Sequence, residues 1–274
     1  MPEGPEIRLA ADRIAKVLVQ KEITRIQFTF DHLRQFEKVL AGLTVTSVET
    51  RGKAMLTYFD DLWVIYSHNQ LYGRWLITDN GKLPQTNRQL RLAIETQKKA
   101  ALLYSATDIG VIRKSELINH PFLAKIGPDI LSERPDVDIV TARLLSPAFS
   151  RRQLATLLLD QRFLAGLGTY LCAEILFFSK LHPKTKASKC TTTMVRELAS
   201  NILKITQQSY KTQGITNPPE LVAQLKASGI VNKQRYRHSV YGRAGESCYE
   251  CGTSIERNNL GGRPIFHCPG CQSL

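Results

Sequence analysis

The chain begins Met1-Pro2-Glu3-Gly4-Pro5-Glu6, and its other motifs are organised around this stretch. Once Met1 is removed, Pro2 carries a free secondary amine. Such an amine can attack the aldehyde carbon of a sugar and form a Schiff base. An iminium formed from proline has no nitrogen-bound proton to lose, so it stays cationic and withdraws electrons from the neighbouring C–H bond. This is the chemistry needed to eliminate a group from a sugar.

The acidic residues after Pro2 have two interpretations. Glu3 is placed to protonate a sugar ring oxygen, and Glu6 follows one helical turn later. The same residues are also ordinary at a helix start, because proline is favoured at the first helical position and acidic side chains suit the positive end of the helix dipole. The first six residues alone leave both interpretations open.

The charge balance predicts a polyanionic partner. Lys and Arg number 37 against 24 Asp and Glu, which gives a net charge of +13, and neutralising phosphates releases counterions and favours binding. Basic membrane-surface proteins share this balance, but the sequence has no long apolar stretch, signal-peptide core or lipidation motif. Four of the six cysteines cluster near the end of the chain, which argues against a disulfide framework. We therefore expect a cytoplasmic protein with no membrane partner.

The pattern of apolar residues in the first half of the chain predicts one helix followed by strands. Apolar residues at helical spacing predict a helix over about 5–20. The period then changes to two, and eight short strands are predicted over 22–29, 43–50, 53–59, 62–67, 74–78, 89–96, 99–105 and 109–113. Strands of this length and spacing are typical of a β-sandwich or barrel, with the first helix packed against it. The Pro- and Gly-containing segment 120–128 ends this half and predicts a domain boundary.

The second half returns to the helical period. It predicts helices over 151–164, with Ser150 as the cap, over 169–180 and over 192–211. A glycine turn at 166–168 separates the first two helices. Two antiparallel helices need such a turn in any case. The net positive charge favours a second role, in which the N–H groups that open the following helix and the Thr169 hydroxyl bind a DNA phosphate.

Two segments of the strand-rich half also have competing interpretations. Lys53 opens a strand and is most simply a solvated charge at an edge, because lysine is mostly exposed in proteins. Leu71 and Tyr72, taken alone, would be assigned to the core. In a DNA-binding enzyme, Gln70, Leu71 and Tyr72 would instead form a wedge that enters the base stack where a base has been pulled out.

Four cysteines near the end of the chain have the spacing of a zinc ribbon. They form two pairs, each separated by two residues: Cys248, Cys251, Cys268 and Cys271. Four thiolates suit one tetrahedral Zn²⁺, with a β-hairpin between the pairs, and a segment this short needs the metal to fold. A structural ion is favoured over a redox pair or an iron–sulfur cluster. Arg263, at the expected hairpin tip, has a guanidinium that can fork onto a phosphate.

In this order, the motifs resemble the bacterial Fpg/Nei family of DNA glycosylases along nearly the whole chain. The matching segments are the first six residues, 51–53, 120–127, 166–168 and the four-cysteine finger with Arg263-Pro264. Within the family, segment 66–73 is similar to the endonuclease VIII (Nei) branch. That branch removes oxidised pyrimidines, whereas formamidopyrimidine-DNA glycosylase removes mainly oxidised purines.

The resemblance implies an α+β fold in two domains: an N-terminal β-sandwich flanked by helices, and a C-terminal helix-two-turns-helix domain with a four-cysteine zinc-finger β-hairpin. The expected segments are the catalytic domain over 1–120, a hinge over 121–131, the helix-two-turns-helix domain over 132–230 and the zinc finger over 231–274. It also implies a monomer that binds double-stranded DNA carrying oxidised bases or abasic sites, at the nucleoid of a bacterial cytoplasm.

The implied activity is that of a bifunctional DNA glycosylase and AP lyase working by β,δ-elimination. Pro2 would be the Schiff-base nucleophile and Glu3 the acid that opens the sugar. Lys53 and Arg263 would donate protons in the β- and δ-eliminations. Two alternatives stay open: an oxidised-purine glycosylase of the same family, and a non-catalytic zinc-ribbon protein that binds damaged DNA.

The resemblance also assigns DNA contacts. Gln70, Leu71 and Tyr72 would fill the gap left by the everted base, and the other implied contacts are Lys125, Gly168 and Thr169. Lys125 and Thr169 depart from the family pattern, in which Arg and Asn stand at these places. Lysine keeps the charge without the bidentate fork, and threonine is shorter than an amide. We expect weaker phosphate binding with the chemistry retained.

Overall fold

The computed structural model describes residues 2–273, which divide into two compact units. One unit contains Pro2 and residues 6–125, and the other contains residues 3–5 and 126–273. Met1, whose removal the proposed chemistry requires, lies outside the described residues. The chain passes between the units inside the segment 121–131 that the sequence assigns to a hinge. That this segment bends stays a prediction.

The described residues of the first unit form eight antiparallel strands in two sheets. The strands are β1 (Arg25–Phe28), β2 (Val45–Arg51), β3 (Ala54–Phe59), β4 (Trp63–His68), β5 (Arg74–Asp79), β6 (Leu90–Glu95), β7 (Lys99–Tyr104) and β8 (Asp108–Arg113). One sheet has the order β2-β3-β4-β8 and the other β1-β6-β7-β5. All eight predicted strands are present, with ends shifted by no more than three residues.

The core of this unit lies between the sheets. Helix α1 (Gly4–Leu18) contributes one apolar face, with buried Ile7, Ile14 and Leu18, to a cluster that also takes side chains from both sheets. This arrangement confirms the sandwich with a helix packed against it. A short helix, α2 (Glu37–Leu40), and 3₁₀ turns at Asp31–Phe36, Lys114–Asn119 and Leu123–Lys125 complete the unit.

The second unit is helical and carries one β-hairpin. Its helices are α3 (Val137–Leu145), α4 (Leu154–Leu158), α5 (Thr169–Phe178), α6 (Thr192–Lys211), α7 (Pro219–Ala227) and α8 (Lys233–Tyr236), with a 3₁₀ turn at Ala187–Lys189. The hairpin strands are β9 (Glu256–Leu260) and β10 (Arg263–His267). One apolar cluster joins the helices to the hairpin, because Ile255, Ile265 and Phe266 are buried with side chains of α3–α6. The finger is therefore part of the helical core.

The predicted helices of this unit have mixed outcomes. The helix over 192–211 is confirmed as α6, where the Thr191 hydroxyl accepts the Met194 N–H, and the helix from 169 is confirmed as α5. The helix predicted over 151–164 is wrong: only Leu154–Leu158 is helical, and Gln153 rather than Ser150 precedes it. Helices α3, α7 and α8 were not predicted.

The carboxylate of Asp160 explains why α4 stops early. It accepts the backbone N–H of Arg162 at 2.9 Å and the Arg152 guanidinium at 2.7 Å. Aspartate that bonds to nearby backbone in this way competes with helical hydrogen bonding. The apolar spacing of the segment indicated a helix, but the local side-chain bonds favour a turn.

Candidate active site

The Glu3 carboxylate is fixed at the start of helix α5. Its two oxygens accept the backbone N–H groups of Tyr170, at 2.8 Å, and Leu171, at 3.3 Å. The first N–H groups of a helix have no partner inside the helix, and the positive end of the helix dipole suits an acidic group. Only 2% of Glu3 is exposed. The carboxyl group next in sequence to Pro2 therefore has a defined position.

Gly168 makes room for this carboxyl group. A Cβ atom at Gly168 would lie 2.3 Å from the Glu3 Cδ atom, closer than non-bonded atoms approach. The Gly4 N–H donates to the Gly166 carbonyl at 2.8 Å, which holds the start of the chain against the same glycine turn. Gly168 is thus required by the close approach of Glu3, and Gly166 by its φ of 103°, roles that the sequence interpretation missed.

This geometry corrects part of the phosphate prediction. The N–H groups that open α5 were expected to be exposed, but those of Tyr170 and Leu171 are bonded to Glu3 and their residues are buried. The carboxylate takes the place expected for an anionic ligand. That Gly168 and the half-buried Thr169 contact a DNA phosphate stays a prediction.

The two interpretations of the first six residues apply to different residues. Helix α1 begins at Gly4, so Pro5 and Glu6 lie in its first turn, as the helix-start interpretation expects. Pro2 and Glu3 precede the helix. Pro2 is half-buried, and Glu3 bonds to a different helix. The helix-start interpretation therefore leaves the two proposed catalytic residues unexplained.

Lys53 lies in a turn and is buried. The closing pair of the β2–β3 hairpin is Arg51 with Ala54, which leaves Gly52 and Lys53 as a two-residue turn with Gly52 at a φ of 63°. Lys53 is only 7% exposed, so the interpretation as a solvated edge charge is wrong. Buried lysines are rare unless they have partners, and the position sets Lys53 apart from the many exposed lysines of this chain.

The wedge residues stand on an exposed loop, 69–73, between β4 and β5. Leu71 is 56% exposed and Tyr72 is 70% exposed, so their assignment to the core is excluded. The loop is tight, because the Gly73 N–H donates to the Asn69 carbonyl at 2.7 Å. A Cβ atom at Gly73 would lie 2.5 Å from that carbonyl oxygen. The turn therefore presents two large apolar side chains to solvent at a fixed place.

Strand register brings Lys53 and the loop to one end of one sheet. Ala54 at the start of β3 pairs with His68 at the end of β4, and His68 pairs with Asp108 at the start of β8. Burial lowers the pKa of His68; the charge of Asp108 opposes this shift, and the nearby charge of Lys53 adds to it. Residues assigned to elimination and to gap filling are therefore neighbours in the first unit.

Three residues that hold this loop were missed in the sequence. His68 Nδ1 accepts the Gln70 N–H at 3.0 Å, the Arg88 guanidinium donates to the Tyr72 carbonyl at 2.6 Å, and the Thr107 hydroxyl donates to the Gln70 side-chain oxygen. Arg88 and Thr107 are exposed and far from the loop in sequence, so no local pattern identifies them.

Lys125 is exposed at the end of a 3₁₀ turn in the first unit. The turn is held by His120, whose Nδ1 lies 3.3 Å from the Phe122 N–H and 3.4 Å from the Leu123 N–H. The His120 ring also packs on Tyr66, with 4.2 Å between ring centroids. Lys125 is thus a solvent-facing cation on a supported turn, and its contact with DNA stays a prediction.

The four finger cysteines are brought together. Their sulfur atoms all lie within 4.8 Å of one another, with 3.9 Å between Cys248 and Cys271 and 3.4 Å between Cys251 and Cys268. Four thiolates around one Zn²⁺ at about 2.3 Å would be about 3.8 Å apart. All six cysteines of the chain are free of disulfide bonds. The cluster is positioned to bind one metal ion, with the predicted hairpin between its two pairs.

Arg263 is exposed at the turn of that hairpin. It pairs with Leu260 across a two-glycine turn, Gly261-Gly262, in which both residues have positive φ. A Cβ atom at Gly261 would lie 3.3 Å from the Thr156 side chain of α4, so the turn approaches the helical layer closely. Thr156, Asp160 and Arg263 are among the residues that line a small cavity of about 200 Å³ here.

A second buried carboxylate, Glu174, joins α5 to segment 239–241, which precedes the four finger cysteines. It accepts the backbone N–H groups of Ser239, Val240 and Tyr241 and the Thr216 hydroxyl, at 2.7–2.9 Å. Burial raises the pKa of Glu174, and these four hydrogen bonds oppose the rise. The sequence interpretation missed this residue, whose partners lie more than 40 positions away.

Comparison with known proteins supports the resemblance to the Fpg/Nei family. Residues 1–107 match the formamidopyrimidine-DNA glycosylase N-terminal domain, and residues 126–218 match the formamidopyrimidine-DNA glycosylase H2TH domain. The chain is 46% identical to proteins named Endonuclease 8 from Pectobacterium atrosepticum and Escherichia coli, covering 99–100% of this chain and 100% of those proteins.

Solved structures share the fold. A Lactococcus lactis Fpg in complex with abasic-site DNA matches with a TM-score of 0.82 at 24% identity, covering 99% of this chain and 100% of that one. The wild-type L. lactis Fpg in complex with DNA containing an oxidised pyrimidine gives the same TM-score and identity over the full length of both chains.

The chain therefore belongs to the Fpg/Nei family of DNA glycosylases. Its full-length similarity to Endonuclease 8 proteins makes it a Nei-like DNA glycosylase with AP lyase activity. Among residues 2–273, no helix has the length and apolar character needed to cross a membrane.

Proposed function

We propose that this protein removes oxidised pyrimidines from duplex DNA and then cleaves the strand through a Schiff base on Pro2. The observation that carries the proposal is the placement of Glu3. Its carboxyl group is buried, bonded to two backbone N–H groups and next in sequence to Pro2. Similarity to Endonuclease 8 proteins over the full chain supports the choice of oxidised pyrimidines.

The proposed reaction begins at the Pro2 amine. The nitrogen forms a bond to C1′ of the damaged nucleotide as the bond from C1′ to the base breaks, and the base leaves with a proton. Glu3 donates a proton to the ring oxygen, which opens the sugar and leaves a cationic iminium. Loss of a C2′ proton then expels the 3′ phosphate in β-elimination, and a second elimination expels the 5′ phosphate.

Further residues take roles in elimination and DNA binding. Lys53 is the proposed proton donor for β-elimination, and its burial in a turn beside the wedge loop supports a fixed position. Arg263 is the proposed donor for δ-elimination. Gln70, Leu71 and Tyr72 fill the space left by the everted base, and the exposed fractions of Leu71 and Tyr72 support this role. Lys125, Gly168 and Thr169 are proposed to contact the DNA backbone.

The metal is proposed to be one structural Zn²⁺ held by Cys248, Cys251, Cys268 and Cys271. The sulfur-only donor set and the separations between sulfur atoms support zinc in a closed tetrahedral site. Bound there, the ion supplies folding stability to the finger, since four protein ligands leave no open position for chemistry. Elemental analysis should give about one zinc per chain.

Borohydride trapping tests the proposal. Protein confirmed by mass to lack Met1 is mixed with duplex containing thymine glycol, and borohydride reduces the iminium to a stable covalent adduct. Peptide mapping should place the cross-link on Pro2. Pro2→Gly should slow elimination strongly, because the imine from a primary amine can lose its proton. A cross-link at another residue would refute the mechanism, and binding without any adduct or cleavage would support a non-catalytic DNA-binding protein instead.

Gly168→Ala tests the role of Glu3 without altering either catalytic residue. The added methyl group would occupy the space of the Glu3 carboxyl carbon, so the carboxyl group must move. A displacement of about 1 Å is expected to lower the excision rate by about 10²-fold. The matched control is Gly110→Ala, where the new Cβ atom would lie 3.9 Å from the Ile112 side chain, an ordinary contact distance. Equal rates for the two variants would contradict the role of Glu3.

A lesion panel tests the substrate class. We expect faster excision of thymine glycol than of 8-oxoguanine from matched duplexes. The reverse order would assign the enzyme to oxidised purines. Light scattering of the protein alone and with a short duplex should give one chain in each particle, and fluorescence imaging of a tagged chain should place it over the bacterial nucleoid in the cytoplasm.

A further inference from the structure

The wedge loop 69–73 is held by side chains outside it, and His68 is one of the two residues that bond to its backbone. We propose that His68 is a positioning residue that presets the loop for insertion into duplex DNA. The inference rests on the proposed gap-filling role of Gln70, Leu71 and Tyr72, and it concerns how those side chains are held.

His68 is fixed through both its backbone and its ring. It is the last residue of β4, where its backbone pairs with Ala54 on one side and Asp108 on the other. The ring packs edge-on against Phe122, with 5.5 Å between centroids and an interplanar angle of 71°. In this place Nδ1 accepts the Gln70 N–H at 3.0 Å. The acceptor atom is therefore anchored to the sheet.

The accepted N–H belongs to a residue in an unfavourable conformation. Gln70 has a φ of 50°, in the left-handed region that residues with a side chain seldom adopt. A hydrogen bond from residue i to residue i+2 is the device that aspartate and asparagine use to stabilise such turns. His68 supplies it here with a ring nitrogen, so the strained turn depends on this residue.

Two further contacts fix the remainder of the loop. The Thr107 hydroxyl donates to the Gln70 side-chain oxygen, and the Arg88 guanidinium donates to the Tyr72 carbonyl. Leu71 and Tyr72 stay exposed while the backbone that carries them is held. A loop whose backbone is already ordered loses less conformational entropy when its side chains enter the base stack. The contact network thus lowers the cost of insertion.

Two substitutions of His68 separate the hydrogen bond from the ring packing. His68→Phe keeps a ring against Phe122 and removes the acceptor. His68→Asn keeps an acceptor for the Gln70 N–H, in the i to i+2 arrangement that asparagine favours, and removes the ring. Thr107→Val removes the contact to the Gln70 side chain without altering strand β4. The three variants together distinguish positioning from packing.

The test compares two substrates. One is a duplex with thymine glycol, which requires eversion and gap filling. The other is a single strand with an abasic site, where no paired base has to be replaced. We expect His68→Phe to lower excision from the duplex by about ten-fold, with strand cleavage of the single strand within about three-fold of wild type. His68→Asn should restore duplex excision to within about three-fold, and Thr107→Val should lower it.

A spectroscopic readout reports insertion directly. 2-Aminopurine placed opposite the lesion changes its fluorescence when a protein side chain replaces its lost partner. The fluorescence change on binding should be smaller for His68→Phe than for wild type and should return with His68→Asn. Thermal melting checks that each variant is folded. If His68→Phe does not fold, Thr107→Val still tests whether a loop contact governs insertion.

The outcomes separate this inference from the proposed function. Wild-type protein that cleaves neither substrate would overturn the proposed function. Wild-type cleavage together with an unchanged ratio of duplex to single-strand cleavage in the folded variants would overturn the role of His68 alone. An equal loss on both substrates would also overturn it, since that result indicates general damage to the first unit.

Discussion

The wedge loop 69–73 and the finger turn 260–263 both hold exposed side chains in a fixed place, but different interactions stabilise them. Each presents exposed side chains on a short turn, Leu71 and Tyr72 in one case and Arg263 in the other. The loop rests on a sandwich with a large apolar core, and hydrogen bonds from His68, Arg88 and Thr107 hold it. The finger turn closes a two-stranded hairpin in which most of β9 is exposed.

The difference follows from how much core lies under each turn. An isolated two-stranded hairpin is at best marginally stable in water. The finger buries Ile255, Ile265 and Phe266 against the helices, and its four cysteines converge on one point. A metal ion bound there would replace the core that the segment is too short to form. The comparison predicts that the finger depends on its metal and the loop on its hydrogen bonds.

Removal of the metal should have the largest effect. Structural zinc contributes about 10–16 kcal/mol to the folding of small finger peptides at neutral pH. Chelation should therefore disorder the hairpin and lower DNA cleavage by at least about 10²-fold. Nuclear magnetic resonance of backbone amides should show the loss at β9 and β10, with the wedge loop signals retained.

A cysteine outside the cluster gives the control. Cys190 is half-buried and separate from the four sulfur atoms. Cys190→Ser should keep both metal content and activity, whereas Cys268→Ser should lose both. Full activity after complete metal removal would show that the finger is stable without an ion, and the comparison would fail.

Gly73→Ala should have an intermediate effect confined to the loop. Its Cβ atom would lie 2.5 Å from the Asn69 carbonyl oxygen, a backbone atom that cannot move without opening the turn. Strain of this kind costs about 1–3 kcal/mol. We expect excision from duplex DNA to fall by about ten-fold or more, with metal content unchanged, as measured by single-turnover kinetics and elemental analysis.

Gly110→Ala is again the matched variant, because it adds the same methyl group in the same unit without a close contact. Gly262→Ala sharpens the comparison further. No heavy atom within 4 Å would meet its Cβ atom, but its φ of 75° is unfavourable for alanine. We expect Gly262→Ala to lower excision less than Gly73→Ala does, because its added Cβ atom meets no neighbour. A larger loss with Gly262→Ala would contradict the prediction that the wedge loop is the more sensitive of the two turns to an added methyl group.

Of these perturbations, a fall in pH should have the smallest effect, and it should act on the wedge loop through His68. Burial lowers the pKa of His68 below its usual 6.5; Asp108 opposes this shift, and Lys53 adds to it. Stability from the neutral ring is therefore complete above pH 6.5 and is lost as the pH falls through 6.5 and then through the lowered pKa. A protonated Nδ1 donates rather than accepts, so the Gln70 hydrogen bond is lost.

Amide exchange of Gln70 measures this loss. In wild type the Gln70 N–H should lose protection as the pH falls below 6.5 and through the lowered pKa of His68, after correction for intrinsic exchange rates. In His68→Asn the protection should stay constant over the same range, because the asparagine oxygen accepts at every pH in it. Identical profiles for the two proteins would exclude His68 as the pH-sensitive group.

The strands and helix α6 show what could be predicted locally. The eight strands follow from alternation, and α6 has regular apolar spacing together with the Thr191 cap, so its bounds follow from the sequence. Helix α4 shows the limit, because the same apolar spacing was overridden by Asp160. Helices α3 and α7 begin with recognisable start residues, Asp136 as the cap of α3 and Pro219 as the first residue of α7. They were missed because the prediction relied on apolar spacing.

The candidate site also has features that could be predicted from the sequence and features that could not. The metal cluster was predictable, since the spacing within each cysteine pair fixes a local turn that brings two sulfur atoms together. Burial of Lys53 was not predictable, because it depends on where the β2–β3 hairpin closes beside β4. His68 was visible in the sequence, but its contact required the conformation of Gln70.

By itself, the sequence determined the proline amine beside an acid, the alternating strands, the four thiolates and the net positive charge. These features depend on residue type and on spacing over a few residues, and such short spacing determines the local structure. Only the tertiary structure decided that Glu3 bonds to a helix start more than 160 residues away, that Gly168 yields the space, and that the wedge loop is held from outside. The reason is physical: a contact between distant segments depends on how the whole chain folds, and neither partner carries a local sign of the other.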